Sequence, residues 1–398
     1  MVQSKLFLAV QEEETLINKI GSETKKYRMG RKKIEFVEAK KKFTSVKYFP
    51  FGNVPGESYV LTSDPWNYLK AFLKNEHDSI KKKTEKLGPK KEKLSKALYF
   101  TELAESFQKS AENVQMPTKA TLTYYSVLNI VKAFLLVRGH DLETNQEYHG
   151  LSLNPNDTID LTISSNAKNG GINIFHEFAK ELGYAVKPGT KISLREMISN
   201  LPEIHELAFN LNLTKTNKRK FLPIDIEFLS NDRRWNKLTY RICFEKKHKH
   251  DYRIEKFKKG VLYATLEESE DSKERVCYLS KQIRSLTHTS ESSWKSNYNE
   301  LCKEITGINV RIMLTRIGYK YYLDLQPDNY SPIIYYFSLM FYIGSVARYR
   351  PTLNEDILEG NYKSLISEVL TSSPKQFLYL IAGFMTNKIC AVPMANLN

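Results

Sequence analysis

Two stretches of this chain are long, apolar and almost free of charge. Residues 123–137, "TYYSVLNIVKAFLLV", carry a single charge, Lys132. Residues 329–347, "NYSPIIYYFSLMFYIGSVA", carry none over nineteen residues. A helix that is apolar all round belongs in a protein core or in a membrane. The second run holds Pro332, four tyrosines and three serines, which favours a buried helix over a membrane span. Two such helices in one chain are expected to share a core. Each is followed by arginine: Arg138 after the first, Arg348 and Arg350 after the second. If the two helices run roughly parallel, these cationic ends converge.

A length of 398 residues suggests two or three structural units, and 41% hydrophobic residues suffice for a real core. Cys243, Cys277, Cys302 and Cys390 are far apart and form no CxxC. Reduced thiols in a cytoplasmic protein are the expectation. The start, "MVQSKLFLAVQEEE", has too short an apolar run for a signal peptide. A net charge of +15 favours polyanionic partners, RNA or DNA before an acidic protein and before anionic lipid. No Walker A motif, GxGxxG after a strand, GxSxG elbow or HExxH occurs, so no cofactor and no metal are expected.

The texture of the chain changes three times. Residues 1–63 read as irregular or strand-rich, with Pro50, Gly52, Pro55 and Gly56 between aromatic runs. From Asp64-Pro65, a cap and a first helical position, residues 64–214 read as mostly helical. Apolar spacing of three and four runs through Leu94, Leu98 and Phe107, and Pro202 splits a later helix pair. Residues 215–329 alternate with a period near two and form a basic, β-rich insertion. Residues 330–398 return to helix and are expected to pack on the first helical segment. The fold class is therefore α+β and mainly helical.

Candidate sites follow from charge and chemistry. Residues 215–259 hold fifteen Lys or Arg against six Asp or Glu, interleaved with Trp235, Tyr240, Tyr252 and Phe257. Strands bearing cations and aromatics suit single-stranded nucleic acid, through Arg233, Arg234, Lys237, Arg241, Lys246 and Lys247. The alternative is a solvated sheet face. A second basic zone, residues 81–96, reads as a solvated helix pair and turn. In the loop after the first apolar helix, His149 precedes Gly150. His149 either pins a turn or works in a cleft with Arg138, His140 and Arg348. Arg348 and Arg350 either cap a helix and meet acids of the loop (Asp141, Glu143, Glu147) or bind an anion. Tyr124 and Tyr125 read as packing residues that cannot both face one cleft, because adjacent helix positions diverge by about 100°.

Four segments in order, "LTYYSVLNIVKAFLL", "YHGL", "GTKISLREMISNLPEIHEL" and "SVARYRPTL", resemble the YaaC-like family of bacterial proteins, over about residues 60–390. The paired-aromatic helix followed by His-Gly also resembles HEPN-type helical domains. That likeness implies a helical bundle that often dimerises, so a homodimer or a hetero-complex with a protein partner is expected, without a membrane. Some HEPN-type domains are metal-independent ribonucleases; others bind RNA or a partner, and they recur in bacterial antiviral defence. Catalytic members carry Arg, four to six residues, then His. Here Arg138 and His149 have ten residues between them, and only Arg241 and His248 fit, inside a strand-like alternation. The reading is therefore a nucleic-acid- or partner-binding subunit without its own catalysis, with a divergent ribonuclease or a dimeric scaffold for a separate enzyme as alternatives. If there is catalysis, His149, Arg138 and His140 are the candidates.

Overall fold

The structure is a computed structural model. It describes residues 36–42, 59–80, 88–142, 146–153, 160–167, 170–215, 219–231, 237–249, 266–270, 274–285, 310–315, 318–326 and 330–392, with part of 297–309. Its helices are α1 (Pro65–Ile80), α2 (Gly88–Glu112), α3 (Thr118–Val137), α4 (Ile174–Glu181), α5 (Leu194–Ser199), α6 (Pro202–Asn210), α7 (Pro332–Tyr349), α8 (Pro351–Ile357) and α9 (Lys363–Thr386). Local chemistry sets their ends. Asp64 caps α1 by accepting from the backbone N–H of Asn67 at 3.0 Å, with Pro65 at the first helical position. Ser193 caps α5 by accepting from the Glu196 N–H at 3.1 Å. Past α4, Gly183 takes φ +84°, its N–H bonds to the Lys180 carbonyl and the Tyr184 N–H to that of Ala179, which closes the helix in a Schellman turn.

The expected return of the C-terminal helices is observed: α7 and α9 join α1–α6 in one hydrophobic core. α7 is buried at every position from Pro332 to Val346. α3 is long and apolar enough to cross a membrane by composition alone, yet most of it is buried inside the protein. The start of α3 meets the end of α7. Tyr124 packs edge-on against Phe341 at 5.8 Å, and a Cβ built on Gly344 would lie 2.7 Å from Tyr124 Cβ. At the other end Phe134 contacts Phe178 of α4, which contacts Phe337 near the start of α7. The two charge-poor helices therefore run broadly antiparallel, and the condition under which their cationic ends would converge is not met. Their arginines lie at opposite ends, with Tyr124 and Arg138 about 21 Å apart along α3 at 1.5 Å per residue.

Short strands occupy the loops and the terminal segments: β1 (Phe36–Lys42), β2 (Tyr59–Leu61), β3 (Glu147–Tyr148), β4 (Leu151–Leu153), β5 (Asp160–Ile163), β6 (Ile172–Asn173) and β7 (Lys191–Ser193). The insertion holds β8 (Phe221–Asn231), β9 (Lys237–Glu245), β10 (Leu266–Glu270), β11 (Arg275–Ser280), β12 (Arg284–Ser285), β13 (Val310–Thr315) and β14 (Gly318–Asp324), and β15 (Ile389–Ala391) follows α9. β2 pairs with β15 in parallel, so the segment before α1 is tied to the end of α9. The sheet order is β10-β11-β9-β8-β14-β13, with β1 on β8 and β12 on β9, all antiparallel.

Alternation along the sheet matches the expected period of two. Leu222, Ile224, Ile226 and Phe228 of β8 and Leu238, Tyr240, Ile242 and Phe244 of β9 share one core with Leu301 and Ile305. The opposite face carries Glu227, whose two oxygens accept from Arg241 Nε at 2.7 Å and Arg275 at 2.8 Å. Beside it Cys243 and Cys277, directly opposed on β9 and β11, form a disulfide. This corrects the expectation of reduced thiols for that pair, because the register sets the two side chains together. Cys390 is a free, buried cysteine.

The two chain crossings between helical part and sheet run side by side. Leu325 N–H bonds to the Lys220 carbonyl, the Lys220 N–H to His205 Nε2 of α6 at 3.0 Å, and Lys220 Nζ to the Gln326 carbonyl at 2.6 Å.

Gly344→Ala tests the central packing. The added methyl has no room beside Tyr124, so we expect a loss of about 1–3 kcal/mol, read as a lower denaturation midpoint. An unchanged midpoint would mean the two helices do not pack this closely.

Candidate functional site

The loop after α3 explains how a distant histidine reaches the start of that helix. Arg138 remains at the far end: it donates to the Phe384 carbonyl in the last turn of α9 at 2.7 Å and lies over the Phe134 ring. It thus satisfies a helix-terminal carbonyl. His140 turns to α4, with Nε2 2.9 Å from Glu181 and Nδ1 3.7 Å from Glu177. The chain then runs back along α3. Asp141 pairs with Lys93 at 2.7 Å, and Glu147 pairs with Lys132, the lone charge of the apolar run, at 2.6 Å. Lys132 also sits over the Phe100 ring of α2. Parallel pairing of β3 with β6 holds this return path. Gly150, at φ +80°, turns the chain where its Cα faces Phe175, a conformation and a gap that suit glycine alone.

His149 arrives beside Tyr124, with Nδ1 2.7 Å from the phenol oxygen, and its ring packs 5.6 Å from Phe341. One surface of His149 is exposed while the Nδ1 edge faces inward. Arg348, from the last turn of α7, completes the cluster. Its guanidinium lies 4.7 Å from the Tyr124 ring, 5.0 Å from Tyr125 and 5.0 Å from Tyr349. The expectation that Tyr124 and Tyr125 cannot serve one cleft is corrected: Arg348 straddles both rings, whose centroids are 5.5 Å apart. Tyr124 is fully buried, and Tyr125 stacks on Phe107 of α2.

The electrostatics follow from burial. Burial keeps the Tyr124 phenol protonated, far above its usual range, although Arg348 opposes this by charge and by hydrogen bonding. His149 is held below the usual imidazole range, first by burial and then by the charges of Arg348 and Lys132, with Glu147 opposing. Both groups are therefore neutral at pH 7. A protonated phenol can give its hydrogen to Nδ1, and in that tautomer His149 carries its proton on Nε2, an N–H donor on the remaining edge.

The described loop acids, Asp141 and Glu147, do not pair with Arg348. Both pair with lysines, and Glu143 lies outside the described residues. Among the described residues no carboxylate pairs with Arg348 or Arg350, and Arg348 Nε is buried with no hydrogen-bond partner. Aromatic rings hold the guanidinium in place of a counter-ion. Arg350 ends α7, its N–H bonded to the Val346 carbonyl.

Comparison with known families decides what kind of chain this is. Residues 61–385 match the family model described as YaaC-like Protein. The chain belongs to the YaaC-like family. No curated protein and no solved structure matches it.

Of the six nucleic-acid candidates in the insertion of this YaaC-like chain, four lie among the described residues. Arg233 and Arg234 lie outside the described residues. Arg241 is buried against Glu227, and Lys237 is half-buried at the start of β9. Lys246 and Lys247 are exposed on a single 3-10 turn, where Lys247 meets Glu245. Of the three catalytic candidates only His149 stands by Arg348; Arg138 and His140 hold other helices. Tyr124 was legible as a packing residue but not as the hydroxyl partner of His149. Gly344, the one glycine in a run of large side chains, is the signal that could have revealed that approach. Among the described residues no cluster of His, Cys, Asp and Glu is placed to hold a metal ion.

The acid limb of stability tests the neutral histidines. His205, buried beside Arg219 and Lys220, is pushed down to about 3, mainly by burial, and His149 shifts in the same direction. A depressed folded pKa means the unfolded chain binds more protons in this window. Their contribution is full above the unfolded value of about 6.5 and is lost as pH falls toward the folded value. We expect the denaturation midpoint to fall below pH ~6.5, and His149→Gln to reduce the first part of that fall. A variant with the whole decline would show that His149 is not held neutral.

Tyr124→Phe removes the donor to Nδ1. We expect the His149 titration, followed by NMR, to move up toward the ordinary imidazole value, with about 1 kcal/mol lost in stability. An unmoved titration would contradict the hydrogen bond.

Proposed function

We propose that this protein is a nucleic-acid-binding subunit without catalysis of its own, and that its phosphate contact is the seam of Arg348 and His149. The observation that carries the reading is a guanidinium fixed by three tyrosine rings with no carboxylate partner among the described residues. Beside it His149 presents an N–H donor, and Arg350 follows two residues on. Two fixed donors and an adjacent cation suit a phosphate group. The net charge of +15 would draw a polyanion to the surface.

Cleavage of RNA requires a group to take a proton and a group to supply one. His149, with Nδ1 occupied and Nε2 protonated, is set as a donor. The other candidate residues, Arg138 and His140, serve the opposite end of α3. This supports binding over hydrolysis.

The test is a salt titration of binding to labelled single-stranded RNA. Arg348→Ala is expected to weaken affinity by about tenfold and to lower the slope of log K against log salt by about one. Affinity that survives Arg348→Ala but falls on Lys246→Glu with Lys247→Glu would move the site to the sheet and overturn the reading. Release of cleaved product by the wild-type protein, abolished by His149→Ala, would overturn the absence of catalysis.

A further inference from the structure

The surroundings of Arg348 also bear on which nucleic acid would fit. Of the three rings around its guanidinium, Tyr124 is fully buried and Tyr125 is partly buried, but Tyr349 is 66% exposed, more than any other large apolar side chain described. Tyr349 is the last residue of α7, two residues before Pro351 opens α8, so its backbone is anchored although its ring is in water. A cation stacked at 5.0 Å restrains the ring and leaves its remaining surface open. Fixed aromatic surface beside a phosphate donor is what an unstacked base requires. A duplex keeps its bases stacked inside the helix and offers no free face to such a ring.

We propose that the Arg348 site takes single-stranded nucleic acid, with Arg348 and His149 on a phosphate and the base of a flanking nucleotide stacked on Tyr349. This rests on the phosphate-binding reading above and adds the strand type and the base contact. The stacking is independent of base identity, because every base has a π face. Stacking alone carries no base-edge contact, so little sequence preference is expected.

The experiment measures fluorescence anisotropy with three probes of about twelve nucleotides: a single-stranded RNA, the matching duplex, and an abasic strand with the same phosphates. Wild type is expected to bind the single strand about tenfold more tightly than either other probe. Tyr349→Ala should remove that advantage, weakening the single strand more than the abasic strand, while Tyr349→Phe should restore it. Tyr349 is exposed, so these variants are expected to fold as wild type does, and the phenylalanine variant controls for it. Equal affinity for single strand and duplex, or no effect of Tyr349→Ala, overturns the stacking proposal; the phosphate reading then stands if Arg348→Ala still weakens every probe. Binding of no probe, or binding indifferent to Arg348→Ala, overturns the phosphate reading and the stacking with it.

Discussion

The close approach of α3 to α7 at Tyr124 and Gly344 is the contact on which the rest depends. A large aromatic ring enters the space that a side chain would occupy at Gly344. That contact sets the two charge-poor helices antiparallel and draws the end of α7 over the start of α3. Arg348 then falls above Tyr124 because it follows Gly344 by one helical turn, on the same face. The cationic end of one buried helix is thus delivered to the aromatic start of the other, and the cation is held by π faces rather than by an acid. The hydroxyl of Tyr124 is buried and, among the described residues, meets His149 Nδ1. A buried hydroxyl without a partner would be costly, so the loop that brings His149 is part of the same packing solution.

The loop serves this end through charge pairing along its course. Lys132 would be an unpaired cation on a buried helix if Glu147 were absent. Asp141 and His140 tie the outward limb to α2 and α4. The Lys132–Glu147 pair lies at the margin of the core, where solvent is partly excluded, while Asp141 is exposed. These pairs and the β3–β6 pairing place His149, the last residue before Gly150, beside Tyr124. The chemistry at the seam follows from that placement: a neutral imidazole from the loop, with a protonated phenol and an unneutralised guanidinium from α3 and α7.

Much of this was legible in the sequence. Absence of charge identified both central helices, Asp64-Pro65 and Ser193-x-x-Glu196 marked helix starts, and the period of two marked β8 and β9. The YaaC-like likeness in the sequence agrees with the family match. The relative direction of α3 and α7 was not legible, because a helix apolar on all sides has no periodicity to say which face or which end meets a partner. The role of Arg138 was hidden for the same reason, since its acceptor is a backbone carbonyl 246 residues away. Charge counting did not reveal that Arg241 pairs with Glu227 inside the sheet. The pairing of Cys243 with Cys277 depends on strand register, which spacing in the chain does not reveal.

The central claim is that Arg348, Tyr124 and His149 form one chain in which the phenol donates inward to Nδ1 and leaves an N–H on the exposed edge of the imidazole. The most direct measurement is the nitrogen chemical shift of the His149 ring in protein labelled with 15N-histidine near neutral pH. The account predicts an unprotonated Nδ1 and a protonated Nε2, with the Nε2 resonance moving when single-stranded RNA is added. A protonated Nδ1, or an imidazolium at neutral pH, would contradict it.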